Sequence, residues 1–238
     1  MSVAPTFYRL PGSHYSERAE MLLQLKGVPY ERRTLRYVET RTVLPKEVGD
    51  DTVPALKLDD GTVVHWRAIP GFLESRHPEP PIYPRDAAAR EEVERWEEWL
   101  DLVVGHAVRR LGYWEMRENP DLRRRFFRVK DPVGEVRSLA LLRFLMSRYG
   151  ATAWTREHDL HALLAFLRRA ERGLDRNGGA FLVVPAVTAA DVAAAALLHP
   201  LQGTATSRAL GHERVWEWAR AMRERLKPKR REAAPRAP

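Results

Sequence analysis

The stretch TFYRLPGSHYSERAEMLLQLKGVPYERRTL, residues 6–35, decides the fold of the first part of the chain. Its first five residues predict a short strand that ends at a Pro-Gly turn signal. Ser13 is a residue type that caps helix N-termini, and we expect a helix from about Ser13 to Lys26. A second strand is predicted over residues 29–35. The order strand, turn, helix, strand indicates a mixed α/β unit.

A hairpin and a linker complete this first unit. VPALKLDDGTVVHW, residues 53–66, predicts two strands around an Asp-Gly turn, with a short helix after them. HPEPPIYPRD, residues 77–86, is rich in proline and predicts a stiff linker. We therefore expect a first domain over residues 1–80, a second over 81–226 and a basic, disordered tail over 227–238.

The second domain has the apolar spacing of helices throughout. Apolar residues recur every three or four positions after Asp86, which predicts a long amphipathic helix. VTAADVAAAALLHPL, residues 187–201, is apolar nearly all round and is expected at the centre of a helical bundle, with Thr188 and Asp191 at the spacing of a capping box. The expected buried face of the long helix comprises Val93, Trp96, Leu100, Val103, Ala107, Leu111 and Trp114.

Composition and charge narrow the function classes. The chain has 238 residues, 44% hydrophobic and 30% charged, as expected of a soluble globular protein. It contains no cysteine, which excludes disulfides, thiolate metal sites and a cysteine nucleophile. No signal peptide or membrane span is evident, so we expect a cytoplasmic protein. The net charge of +8 lies partly in the tail. The remaining basic residues are mixed with acidic ones, so neither a nucleic-acid partner nor a metal site is predicted.

Four fragments in this order resemble the cytosolic glutathione S-transferase family. They are the opening strand-turn-helix with KGVPYE, the VPAL loop with its hairpin, the buried segment FLVVPAVTAADVAAAALL, and the closing helix VWEWARAMRER. The resemblance implies a thioredoxin-like α/β N-terminal domain followed by an all-α helical-bundle domain. It also implies a homodimer, with glutathione as co-substrate and no metal.

By this resemblance, a hydroxyl at the start of the first helix donates a hydrogen bond to the glutathione thiolate. Ser13 matches that position, and Ser16 and Tyr8 are the alternatives. A hydrogen bond to a charged partner contributes about 1.5–3 kcal/mol, so a thiol pKa near 8.5 could fall to about 7. Each candidate also has a structural interpretation, the serines as helix caps and Tyr8 as a packed strand aromatic.

The remaining contacts to glutathione are also implied by the resemblance. Val53 and Pro54 match a loop in which the proline is cis and the preceding backbone pairs with the tripeptide. His65 and Trp66 stand where the family usually has an acidic residue and a serine that hold the γ-glutamyl group. This departure leaves open whether glutathione is still bound.

Two functions are expected from these features. The first is an enzyme that conjugates glutathione to small hydrophobic electrophiles, with Arg110 and Tyr113 as candidates for the acceptor pocket. The alternative is a non-catalytic binding or assembly protein on the same fold, with an altered glutathione site. If Trp66 filled the space between Ser13 and Val53, the second function would be favoured.

Overall fold

The computed structural model describes residues 4–227. The tail predicted over residues 227–238 lies outside this range, apart from Lys227. A mixed sheet with its own helices forms the first part of the described chain, and helices form the rest. The predicted fold class, a thioredoxin-like domain followed by an all-helical one, is confirmed. The boundary between residues 80 and 81 stays a prediction.

The first part is a four-stranded sheet with helices on both faces. Its elements are β1 Thr6–Arg9, α1 His14–Leu25, β2 Glu31–Thr34, α2 Glu39–Thr42, α3 Leu44–Val48, β3 Ala55–Lys57, β4 Val63–His65 and α4 Ile69–Arg76. The strand order is β2-β1-β3-β4, with β2 parallel to β1 and the hairpin β3-β4 antiparallel, β3 pairing with β1. Successive side chains of a strand point to opposite faces, so Phe7 packs with α1 and α4 while Tyr8 packs with α3.

Local sequence signals explain where these helices begin and end. Ser13 is the N-cap of α1, and its hydroxyl oxygen accepts a hydrogen bond from the Ser16 N–H. Gly27 lies just beyond the helix with a φ of +64°, a conformation that glycine adopts without strain. Pro70 lies in the first turn of α4, where the missing N–H removes no helical hydrogen bond. The proline therefore does not disturb this helix.

Among residues 81–227, the regular elements of the second part are all helices. Asp86 caps the first of them as its side chain accepts the Ala89 N–H at 2.8 Å. The helices are α5 Ala87–Trp99, α6 Gly105–Glu118, α7 Pro120–Phe127, α8 Pro132–Arg148, α9 Ala153–Arg176, α10 Ala189–Leu198, α11 Ala205–Leu210 and α12 Glu213–Arg225, with a π-helix at Leu100–Val104 and a 3-10 turn at His199–Leu201.

The long helix predicted after Asp86 is interrupted, and one predicted core residue is wrong in consequence. The π-helical turn adds about one residue to the helical period between α5 and α6. Inside this turn Val104 is fully buried and Val103 is 40% exposed, whereas Ala107 and Leu111 beyond it are buried as predicted. Trp96, before the turn, is fully buried as predicted, and Trp114 is half-buried.

The centre of the helical part is α10, as predicted. Every residue of this helix is buried, and it packs against α1, α5 and α12. Asp191 completes the predicted capping box, accepting the Thr188 N–H and the Leu182 N–H at 2.8 Å each. Burial raises the pKa of Asp191 to about 6. The carboxylate thus satisfies two buried N–H groups that lack helical partners.

A buried ion pair joins the two parts of the chain. The Arg18 guanidinium of α1 bonds Glu97 of α5, and its other terminal nitrogen lies 2.7 Å from Asp101 Oδ1. Close by, Tyr15 donates to the Asp101 carbonyl at 3.3 Å. These contacts hold the start of α1 against the helical part.

Candidate functional site

A cavity of about 630 Å³ lies where the N-terminus of α1 faces the helical part. This volume is within the range of about 300–1,000 Å³ that is usual for ligand pockets. The first part of the chain contributes Gly12, Ser13, His14, Tyr15, Val53 and Trp66 to the wall, and the helical part contributes His106, Arg109, Tyr113, Phe126, Phe127 and Tyr149.

Ser13 lines this cavity and keeps a hydroxyl proton to donate. Its oxygen accepts the Ser16 N–H at 3.2 Å, but its own O–H is donated to no group among residues 4–227. The N–H groups of His14 and Tyr15, in the first turn of α1, are likewise unpartnered there. The N-terminus of a helix carries a partial positive charge. A free hydroxyl and two free N–H groups at this end therefore form a place suited to an anion.

The two alternative hydroxyls lie elsewhere. Ser16 is fully buried, does not line the cavity, and its oxygen accepts the Leu10 N–H at 3.3 Å. Tyr8 points to the opposite face of the sheet and donates to Glu47 Oε2 at 2.5 Å. Burial and this hydrogen bond raise the pKa of Tyr8 to about 12. Of the three predicted hydroxyls, only that of Ser13 borders the cavity.

Val53 brings main-chain hydrogen-bonding groups to the same wall. The Val53-Pro54 peptide is cis, as the resemblance implied. Within the described part of the chain, neither the N–H nor the carbonyl of Val53 has a hydrogen-bond partner. Backbone groups are strong donors and acceptors that need partners when water is excluded. Val53 can therefore pair with the backbone of an extended peptide ligand.

Trp66 forms part of the wall without filling the space. Its ring packs on Tyr15 with centroids 4.8 Å apart, and the Arg67 guanidinium lies 4.7 Å from its ring centroid. His65 does not line the cavity; its Nδ1 is 3.6 Å from Asp50 Oδ2. The space between Ser13 and Val53 remains open.

His14 is a site residue that the sequence analysis missed. Its side chain is buried, it lines the cavity, and its Nε2 has no hydrogen-bond partner within residues 4–227. Burial lowers the pKa of His14 well below its usual value, and the nearby Arg109 charge lowers it further. The imidazole is therefore neutral at physiological pH. Two of its ionisable neighbours, Arg109 and His106, lie on α6, and nothing in the local sequence indicates this environment.

Of the two residues predicted for the acceptor pocket, one lines the cavity. Tyr113 is in the wall, where burial raises the pKa of its phenol. Arg110 lies outside it, with Nε 2.8 Å from Asp159 Oδ2. The neighbouring Arg109 lines the cavity instead, and it has no such ion pair with any described residue.

Residues 4–227 contain neither a cluster of metal-ligating side chains nor a helix able to span a membrane. No three histidine, aspartate or glutamate side chains of residues 4–227 come together as metal ligands. Within the same range, no helix has the combined length and apolar character needed to cross a membrane.

The chain is similar to several known proteins. Residues 7–81 match the family model described as the glutathione S-transferase N-terminal domain. The probable maleylacetoacetate isomerase 2 of Drosophila melanogaster is 30% identical over 100 residues, a match that spans 38% of this chain and 42% of that protein.

Solved structures share the fold along the chain. The β-etherase LigF of Sphingobium sp. strain SYK-6 has a TM-score of 0.69 at 20% identity, covering 96% of both chains. A glutathione S-transferase of Methylobacterium radiotolerans, solved in complex with glutathione sulfonate, has a TM-score of 0.64 at 21% identity over 95% of this chain and 91% of that one. The first part of the chain thus matches the glutathione S-transferase N-terminal domain, and the two parts together share the fold of these solved structures.

Proposed function

We propose that the protein binds glutathione in this cavity and conjugates it to small hydrophobic electrophiles. The observation that carries the proposal is the free hydroxyl of Ser13 at the N-terminus of α1, beside the free main chain of Val53. The match of residues 7–81 to the glutathione S-transferase N-terminal domain supports glutathione as the ligand, as do structural neighbours solved with glutathione sulfonate or glutathione. We also propose, from the family resemblance, a cytoplasmic homodimer.

In this mechanism the tripeptide backbone pairs with Val53 and the sulfur lies at the start of α1. The Ser13 hydroxyl donates a hydrogen bond to the thiolate, and the N–H groups of the first helical turn favour the negative charge. The hydrogen bond contributes about 1.5–3 kcal/mol, which lowers the thiol pKa by about one to two units. The thiol proton goes to solvent. The sulfur then forms a bond to an electrophilic carbon of a substrate held among aromatic side chains. Either a leaving group departs with its bonding electron pair, or the π bond of an activated double bond breaks and the neighbouring carbon takes a proton from solvent.

The same first step also serves an isomerase. The fly relative is named as a probable maleylacetoacetate isomerase, and the match covers 42% of that protein. Conjugation and isomerisation both require the thiolate that Ser13 would stabilise. The two reactions diverge only after the sulfur has added to the substrate.

A non-catalytic binding or assembly protein is the second candidate. One observation favours it: the side chains of His65 and Trp66 offer no carboxylate and no hydroxyl where the family holds the γ-glutamyl group. Losing two polar contacts at about 1 kcal/mol each would weaken binding by roughly tenfold to a hundredfold.

Calorimetric titration with reduced glutathione tests the two candidates. We expect wild type to bind, and the ultraviolet absorbance of the bound thiolate should give a pKa about one to two units lower than in Ser13→Ala. Ser13→Thr, which keeps the hydroxyl, is the matched control and should retain most of this effect. Absence of binding by wild type, with binding restored in Trp66→Ser, would reject the enzyme and favour the binding protein.

A further inference from the structure

Arg109 is a half-buried cation without an anion among the described residues. It projects from α6 into the cavity, with its guanidinium carbon 4.6 Å from the ring centroid of Tyr149 and 5.4 Å from that of Tyr15. Its side chain forms neither an ion pair nor a hydrogen bond with any other residue of the described range. Its contacts with the two aromatic faces position the guanidinium plane and leave its N–H groups free.

Other arginines of comparable burial in the described chain all have carboxylate partners. Arg110, the next residue of α6, is bound to Asp159 on the far side of the helix. Buried charges are normally paired, because removing a charge from water is costly. An arginine held unpaired at a cavity therefore marks a position where a ligand supplies the anion. The paired arginines are Arg9, Arg18, Arg110, Arg123, Arg156, Arg169 and Arg223.

The charge of the cavity is predominantly positive. Its described wall contains five arginines and one acidic residue, Asp51, whose carboxylate lies 3.4 Å from Arg41. Clefts lined by one sign of charge concentrate ligands of the opposite sign. The cavity wall also has flat aromatic surfaces, including those of Tyr113 and Phe126. The site thus suits a flat apolar body that carries a negative group.

We propose that the acceptor substrate carries a carboxylate on a flat, apolar body, and that Arg109 binds this carboxylate. The inference rests on the proposed function, because it names the class of electrophile that the glutathione thiolate attacks. Guanidinium and carboxylate form two parallel hydrogen bonds, which fix the orientation of the substrate as well as its position. Arg109 is thereby a specificity-determining residue of the acceptor site.

A pair of test acceptors isolates the carboxylate. In 4-chloro-3-nitrobenzoate and its methyl ester, the thiolate sulfur attacks the carbon that bears chlorine. The carbon–sulfur bond forms, the carbon–chlorine bond breaks and chloride leaves with the electron pair, so no oxidant or reductant is needed. The measured quantity is the ratio of kcat/KM for the acid to kcat/KM for the ester, because the ratio cancels changes common to both substrates.

The variants are Arg109→Met and the matched control Arg117→Met. Arg117 lies on the same helix, is exposed, does not line the cavity and stacks on Trp114 at 4.8 Å. Hydrogen bonds to charged groups are worth a factor of about 10–100, so we expect the acid-to-ester ratio to fall by that factor in Arg109→Met. In Arg117→Met it should stay within about twofold of wild type, since surface charges contribute little. Thermal unfolding confirms that both variants fold.

The two carboxylates of glutathione offer the same chemistry, and a second measurement separates them. If Arg109 binds the acceptor, the Kd of glutathione measured by calorimetry is the same in Arg109→Met and wild type. An unchanged acid-to-ester ratio overturns the inference. A weaker glutathione Kd together with an unchanged ratio assigns Arg109 to glutathione instead.

Direct binding keeps this test independent of catalysis. 3-Nitrobenzoate and its methyl ester lack a leaving group and are titrated without glutathione. We expect wild type to bind the acid more tightly than the ester, and Arg109→Met to lose that preference. Equal affinity of wild type for acid and ester overturns the inference. Failure of wild type to bind glutathione rejects the proposed function alone, because the preference for the acid is measured separately.

Discussion

Replacing Arg18 by methionine should destabilise the protein strongly. Arg18 bonds Glu97 and Asp101 across the junction between the sheet part and the helical part, and its side chain is only 6% exposed. The carboxylates of Glu97 and Asp101 are 12% and 13% exposed. Methionine fills a similar length without charge, so the substitution leaves two carboxylates with little access to water.

The expected loss is about 3–5 kcal/mol, the usual cost of removing one partner of a buried ion pair. That is a large share of the roughly 5–15 kcal/mol by which a native protein is stable. Arg95→Met is the matched control. Arg95 lies on α5 and pairs with Glu91 and Glu92 in the exposed surface, so its removal should cost less than about 1 kcal/mol.

The loss should grow with pH. Burial raises the pKa of Glu97 above its usual value, and the Arg18 charge opposes that rise. A group with a raised pKa in the folded state contributes stability below its unfolded pKa and loses it as pH rises through the folded pKa. Without Arg18 the pKa of Glu97 in the folded state is higher. The free energy of unfolding of the variant therefore falls more between mild acid and mild alkali than that of wild type.

Urea unfolding at about pH 5.5 and pH 8.5 measures both effects. The double variant Arg18→Met/Glu97→Gln should recover part of the loss, because the isolated carboxylate is gone. An equal loss at the two pH values, together with strictly additive effects in the double variant, would refute the reasoning. It would mean that Arg18 acts by packing its stem and not by its charge.

Three further predictions concern single positions. Ser13→Asp keeps an oxygen that caps α1, but this side chain has no proton to donate at neutral pH. The free energy of unfolding in urea should match wild type within about 0.5 kcal/mol, while the bound glutathione thiol loses its lowered pKa. Asp191→Ala leaves the N–H groups of Thr188 and Leu182 buried without partners and should cost about 2–5 kcal/mol in the same assay; less than about 1 kcal/mol would contradict it. In Gly173→Ala the new Cβ would lie 2.5 Å from the Leu182 carbonyl oxygen, so we expect a loss of about 1–3 kcal/mol, whereas an unchanged unfolding midpoint would show that the backbone there yields.

The features of the fold that could be predicted from the sequence depend on residues close together in the chain. The strand-turn-helix opening, the Asp-Gly hairpin and the capping box at Thr188 depend on neighbours within a few positions, and all three are present. The cis peptide at Val53-Pro54 was implied by the family resemblance. These features need no knowledge of the tertiary structure.

The acceptor side of the cavity could not be predicted in this way. Arg109 and Arg110 are the same residue type at adjacent positions, and their different surroundings depend on Asp159, 49 residues beyond Arg110. Two ionisable neighbours of His14, Arg109 and His106, lie on α6, far along the chain from α1. Whether a charged side chain faces a partner or a cavity is decided by long-range packing, which helical spacing does not encode.

The π-helical turn at Leu100–Val104 also determines which side chains face a ligand. Each residue advances an α-helix by about 100°, so one residue more or less in this turn would rotate all of α6 by that angle. Arg109 would leave the cavity wall, and another side chain would replace it, while the start of α1 kept its free hydroxyl. Relatives with a shorter or longer turn here could therefore accept different substrates without any substitution among the lining residues. Insertion and deletion at this position offer a route to new specificity that point mutation does not.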